Sequence, residues 1–297
     1  MSIYLTGATG FVGKNLISYL ADRVVINKYT RGSEIIIQED IVIHLAGKAH
    51  DLKKVASDAD YYLVNTDLTK DVFNAFLASD AKVFIFLSSV KAVADEVKEV
   101  LTEDFIPNPI THYGKSKLLA EQYILSKEIP KGKRVYILRP CMIHGRGNKG
   151  NLNLLYKIVY RGFPWPLGAY DNKRSFCSIY NLCFIISELI VNDNIQSGVY
   201  NVADDETIST NKLISFIAES QGKNPYILNI PQFLIKSLSK LGDLFRLPLN
   251  TERLQKLTET YVVSNQKIKN AISEPLPLSA KEGLMKTLNS FGKSNTQ

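Results

Sequence analysis

An apolar run from Ile3 to Leu5 ends at Thr6 and gives way to glycines at positions 7, 10 and 13, after which Leu16, Ile17 and Leu20 recur at helical spacing. This is a strand, a tight turn and a helix with nothing between them. Each glycine has its own physical task. Gly7 allows the sharp turn off the strand, Gly10 lets a diphosphate approach the backbone without meeting a Cβ, and Gly13 lets the helix lie close to the sheet. Unpaired N–H groups at the helix start then face the anion. Glycine-rich turns are common, and it is the strand before this one and the helix after it that make it a dinucleotide site.

Further strands are read at 24–29, 41–46, 82–87, 134–138 and 199–203, as apolar runs suited to a parallel sheet covered on both faces. Helical periodicity occupies 60–77, the stretch from 113, and 176–191. A short apolar run at 34–38 leaves too little chain for the usual crossover helix, so that connection is expected to be cut short or replaced by a loop. Ligands in open α/β sheets sit beyond the carboxyl ends of the strands, where this chain places Ser88 and Ser89. Taken alone, two serines there would cap a turn. What overturns that reading is Tyr113-Gly-Lys-Ser-Lys117, which puts Tyr113 and Lys117 on one face of a helix. Tyrosine, with an ordinary pKa of about 10, is a poor acid–base at neutral pH. A fixed ammonium nearby favours the phenolate and is expected to bring that pKa toward the working range.

The Gly-x-x-Gly-x-x-Gly turn, the serine at a strand end and the Tyr-x-x-x-Lys pair together resemble the short-chain dehydrogenase/reductase superfamily, in its extended branch of sugar-nucleotide epimerases, dehydratases and reductases. The resemblance runs from Gly7 to about Gly283. It implies an α/β fold, a Rossmann-type doubly wound parallel sheet with a smaller, interleaved substrate-binding lobe. Residues 1–146, joined by about 176–203, would form the NAD(P)-binding core, and 147–175 with 204–297 the sugar-nucleotide lobe. Tyr113 is implied as acid–base, Lys117 as its electrostatic partner and ribose anchor, and Ser89 as the hydrogen bond to the reacting oxygen. Gly7, Thr9, Gly10, Phe11, Val12, Gly13, Leu45, Ala46, Gly47, Lys48, Asn65, Ser88 and Pro140 would line the cofactor with Tyr113 and Lys117. Asn65 resembles the family's buried helix asparagine, which bonds a neighbouring loop, although a lone helix Asn is usually solvated. The resemblance implies a UDP-sugar substrate held by Ser89, Tyr113, Asn153, Trp165, Arg174 and Arg253. Arg174 matches the arginine that grips the diphosphate, a task suited to planar bidentate pairing. The segment 163–168 resembles one that closes over the uracil base, but Trp165 is equally readable as core.

Two reactions fit these parts, a 4-keto reductase and a 4-epimerase, with the reductase favoured because Ser-Ser-Val-Lys and the later Pro-Leu-Gly and Lys-Arg-Ser resemble that branch. A 4,6-dehydratase would carry Asp-Glu where Val90-Lys91 stand. A binding protein that kept the fold and lost turnover is the alternative of another class. In an NAD site the second strand usually ends in an acid that holds the ribose, and here Thr30-Arg31-Gly32 stands there. Arg31 is either a solvated surface side chain or a partner for the 2′-phosphate of NADP, so the cofactor expected is NAD or NADP, tilted to NADP.

Composition narrows the setting. Of 297 residues 45% are hydrophobic and 22% charged, as in an ordinary globule with ample length for a core. The net charge of +7 is compatible with an acidic substrate, but no basic stripe is gathered for nucleic acid. Cys141, Cys177 and Cys183 lack the paired spacing of a zinc or redox site, and Cys141 with His144 has no third ligand, so no metal is expected. Reduced thiols and a first strand that begins by residue 3, leaving no room for a signal peptide, give a cytoplasmic expectation. No run reaches about 18 uninterrupted apolar residues, so no membrane span is expected. The amphipathic, partly basic stretch 231–247 (Lys236, Lys240, Arg246) is expected to pack against the lobe rather than touch a membrane surface. A homodimer stays open.

Overall fold

The computed structural model describes residues 1–21, 23–49, 57–148, 151–245 and 250–293. Among them the strands are β1 (Ser2–Thr6), β2 (Val25–Lys28), β3 (Ile41–His44), β4 (Val83–Leu87), β5 (Arg134–Pro140), β6 (Met142–His144), β7 (Phe176–Ser178) and β8 (Gly198–Val202). The helices of the first half are α1 (Phe11–Leu20), α2 (Asp58–Tyr62), α3 (Leu68–Ala78), α4 (His112–Leu125) and α5 (Asn151–Tyr160). The second half adds α6 (Ile179–Val191), α7 (Thr210–Ser220), α8 (Gln232–Phe245), α9 (Thr251–Thr258), α10 (Gln266–Ile272) and α11 (Ala280–Lys293).

Six strands form one parallel sheet in the order β2-β1-β3-β4-β5-β8. Strand periodicity explains why its members read as unbroken apolar runs. Ile3, Leu5, Ile41, Ile43 and Ile85 enter the core cluster on one face, whereas Tyr4, Val42, Phe84 and Phe86 enter that on the other. Both faces are covered, as a parallel sheet requires. On the second face Phe73 and Phe76 of α3 pack against Phe84, edge-on and tilted, with ring centroids 4.9 and 5.2 Å away. Each such buried ring contributes about 1.5–3 kcal/mol. No helix lies between β2 and β3, as the short gap predicts.

A separate apolar cluster gathers Leu152, Leu155, Trp165, Leu167, Ile214, Ile235, Leu254 and Leu284. The pair β6–β7 makes a second, two-stranded sheet. The segment 204–297 does not go wholly with the lobe cluster, because α10 buries Ile268 and Ile272 in the core of the main sheet. The segment expected as helix from 176 begins instead with β7. Arg246 and Leu247 of the predicted 231–247 helix lie outside the described residues. Strand order reverses at β1, which has β2 on one side and β3 on the other, so a crevice opens at their carboxyl ends.

Candidate active site

The glycine turn occupies that crevice. Gly7 has φ +70°, and a Cβ on it would lie 2.7 Å from the backbone N of Ala46, so the turn presses on the end of β3. A Cβ at Gly13 would fall 2.3 Å from the Gly7 carbonyl oxygen, which is why α1 can start so close to the strand. Thr9 and Gly10 are exposed, and no side chain caps the α1 N-terminus. Free N–H groups beside a bare Gly10 fit a diphosphate. Phe11 and Val12 are half-buried in the first turn of α1. Gly47 is exposed above Lys117 Nζ and Asn65 Oδ1, which a Cβ there would meet at 3.0 and 3.2 Å.

Ser89 and Tyr113 arrive from different elements. Asp95 accepts from the N–H groups of Ile110 and Thr111 at 2.6 and 3.2 Å, holding the loop before α4, and Thr111 Oγ1 caps the helix through the Gly114 N–H at 3.2 Å. A Cβ on Gly114 would stand 2.3 Å from the Lys91 carbonyl oxygen, so only glycine lets α4 press on the turn that follows Ser89. The Ser89 side chain, which accepts from the Lys91 N–H at 3.2 Å, stands near enough to the Tyr113 hydroxyl to act on its pKa. Burial raises the Tyr113 pKa, and Ser89 opposes that rise without cancelling it. The expected depression is therefore reversed, because burial outweighs it. Lys117, 3% exposed, donates from Nζ to the Leu87 carbonyl at 2.8 Å. Burial pulls its pKa down to about 8, and Glu121 pulls the other way.

Several supporting residues were not singled out from the sequence. Glu121, fully buried, accepts from Arg139 Nη2 at 2.6 Å and from the Ser88 hydroxyl. That bond and its burial leave the Ser88 hydroxyl engaged in the core, with Pro140 buried nearby at the end of β5. Asn65 sits in a π-helical turn, Leu63–Asp67, between α2 and α3. It is buried and holds the 45–48 loop through both backbone groups of Lys48, accepting its N–H at 2.8 Å and donating to its carbonyl at 3.1 Å. Leu45 and Ala46 are half-buried in that loop. Thr69 donates to the Asn65 carbonyl and so takes the His44 Nε2–H at 2.9 Å, while His44 Nδ1 accepts from Thr6 at 2.7 Å. Burial, with Lys117 nearby, pushes the His44 pKa down to about 3, so this imidazole is neutral.

The residues expected to hold substrate divide. Arg174 is largely buried and bonds the Lys256 carbonyl at 2.6 Å and Glu259 Oε1 at 3.2 Å. Lys91, where a dehydratase would carry an acid, donates to the Asp95 carbonyl at 2.6 Å and stands 4.3 Å from the Tyr261 ring centroid. Burial lowers the Lys91 pKa, and the charge of Glu259 opposes this. Glu259 is itself raised by burial, against Arg174 and Lys91. Trp165 is 4% exposed in the lobe core and donates to Asn211 Oδ1 at 3.0 Å, so of its two readings the structure shows the core. Asn153 donates to the Asn148 carbonyl at 2.7 Å, and its own Oδ1 is buried with no partner among the described residues. Arg253 is exposed in the first turn of α9, and the residues that bond Arg174 lie at the other end of that helix and just beyond it. Arg31 is exposed in the turn after β2.

The chain is similar to known proteins. The chain is 29% identical to a UDP-glucose 4-epimerase of Vibrio cholerae, a match spanning 100% of this chain and 97% of that protein. It is 29% identical to a UDP-2-acetamido-2,6-β-L-arabino-hexul-4-ose reductase of Pseudomonas aeruginosa, over 52% of this chain and 38% of that one. A UDP-N-acetylglucosamine 4-epimerase structure from Bacillus cereus superposes with a TM-score of 0.76 over 100% of both chains at 18% identity, a likeness of fold. Three cysteines, Cys141, Cys177 and Cys183, are buried and unpaired, and no described helix is long and apolar enough to cross a membrane. With the sheet order, the glycine turn and the Ser89–Tyr113–Lys117 grouping in place, the match of residues 3–203 to the NAD dependent epimerase/dehydratase family model shows that the chain belongs to that family of extended short-chain dehydrogenase/reductase enzymes.

Proposed function

We propose that the protein is an NAD(P)-dependent oxidoreductase acting at C4 of a UDP-linked hexose or N-acetylhexosamine, as a 4-keto reductase. The observation that carries this reading is Tyr113 brought beside Ser89 at the carboxyl edge of the sheet, one helical turn from a buried Lys117. The backbone of residues 7–13 would hold the diphosphate of the cofactor, and Lys117 with the loop at 45–48 its ribose. A bound nicotinamide supplies hydride to the sugar carbon. Tyr113 supplies the proton, Ser89 orients the oxygen that receives it, and Lys117 steadies the charge left on the phenol oxygen. Ser-Ser-Val-Lys at 88–91 and Lys-Arg-Ser at 173–175 support the reductase, through their resemblance to that branch. The whole-length match to a 4-epimerase favours the second reading, in which Tyr113 first takes the proton and then returns it. Incubation with UDP-hexoses separates the two. An epimerase interconverts them, a reductase leaves them unchanged but oxidises reduced cofactor when given a keto sugar, and a protein that only binds does neither.

Two further outcomes follow from the binding residues. Arg174→Ala is expected to weaken UDP itself about ten- to a hundredfold, since one charge-assisted pair to phosphate is lost. Calorimetry with UDP checks this, and unchanged affinity removes Arg174 from the site. Because no acid stands at Thr30-Arg31-Gly32, NADP is expected to bind about ten- to thirtyfold tighter than NAD, a small margin because the pair would be screened by solvent. Arg31→Ala should erase that margin by weakening NADP alone. Tighter NAD than NADP in the parent protein would end the argument.

A further inference from the structure

Helix α8 turns its larger apolar side chains outward. It buries Ile235, Ser239 and Gly242, a narrow and mostly small face. Phe233, Leu234, Leu238, Leu241, Leu244 and Phe245 are exposed, Phe233 to 67% and Leu244 to 73%. At 3.6 residues per turn these six fall within an arc of about 140°. A helix whose apolar stripe served only its own lobe would point the large residues inward, as the sequence led us to expect. Single exposed apolar residues are ordinary, but six on one arc, broken only by Ser237, mark a surface that something covers.

We propose that this stripe docks α8 flat on an anionic lipid surface. Lys236 and Lys240 lie along one edge of the arc, and neither forms an ion pair among the described residues. The acid on that edge, Asp243, is engaged with the backbone N–H and hydroxyl of Thr251. A basic edge beside a broad Phe/Leu face is the arrangement by which a helix lies in the headgroup plane, apolar side down and lysines toward the phosphates. The chain's net charge of +7 works in the same direction. A second copy is a poorer occupant. Antiparallel two-fold pairing of this stripe sets lysine edge against lysine edge, a like-charge contact. Since no described helix is long and apolar enough to cross a membrane, the contact is in plane.

Sedimentation of the full-length protein with vesicles tests this. The parent is expected to pellet with phosphatidylcholine vesicles containing phosphatidylglycerol at low salt, and much less with phosphatidylcholine alone. The Lys236→Ala/Lys240→Ala double variant should lose about thirtyfold in partitioning to the anionic vesicles only. The Leu241→Glu/Leu244→Glu double variant should lose binding to both, while its thermal unfolding and its affinity for NADP match the parent, since both positions are exposed. A parent that stays in the supernatant with anionic vesicles overturns the proposal, as do variants that pellet like the parent. Sedimentation velocity showing a parent dimer that the leucine variant dissolves would give the face to a second copy, and likewise overturns it.

Discussion

Tyr113→Phe is expected to lower turnover by about 10²–10⁴, the usual contribution of a positioned acid–base, while cofactor affinity stays nearly unchanged. The substitution removes one oxygen and leaves the ring, whose edge-on contact with Tyr61 has its centroid at 6.4 Å. The Thr111 cap, the Asp95 clamp and the contact of Gly114 with Lys91 do not involve that oxygen, so α4 should keep its place. Turnover by the Phe variant at the parent rate would remove Tyr113 from the chemistry. A parallel loss of cofactor affinity would instead show that the hydroxyl serves binding.

Glu121→Gln is expected to produce the largest loss of stability. Glu121 is fully buried, and its carboxylate pairs with buried Arg139 as it accepts from Ser88. Removing its charge leaves the Arg139 guanidinium buried and unneutralised, which costs about 3–5 kcal/mol. The melting temperature should fall by roughly 10 °C. The same carboxylate holds the Lys117 pKa up against burial. In the free parent enzyme Lys117 loses its proton as pH rises through about 8, so kcat/KM should fall on that alkaline limb. In the Gln variant burial acts with less opposition, and the limb should move to lower pH. Thermal unfolding and the pH profile of kcat/KM check both effects. An unchanged melting temperature would contradict the first, and a limb that moves upward the second.

Much of this was legible because it is local. Gly7, Gly10 and Gly13 announce a strand–turn–helix through backbone geometry alone, and the fully apolar run 83–87 can only be a strand covered on both faces. Tyr113 and Lys117 share a face because of helix periodicity. The same spacing continues to Glu121, four residues on, and that was the overlooked signal for the Glu121–Arg139 pair. The rest depends on tertiary contact. That Trp165 lies in the core depends on partners distant in sequence, such as Asn211 of α7. The pairing of Arg174 with Glu259 joins residues far apart in sequence. The Tyr113 pKa could not be read from Lys117 alone, because the magnitude of desolvation depends on everything packed around the ring. The outward stripe of α8 was not legible for a related reason, although α8 does pack on the lobe through Ile235. Periodicity shows that a helix has an apolar face and says nothing of where that face points.

The most direct measurement of the central claim follows the hydride. The protein is incubated with reduced nicotinamide cofactor carrying deuterium at its transferring carbon and with a UDP-linked 4-keto-6-deoxy-N-acetylhexosamine, and the product is examined by mass spectrometry and NMR. One deuterium at sugar C4, formed by the parent and lost with Tyr113→Phe, is the result predicted. Absence of label from the product, or label at another carbon, would contradict the account.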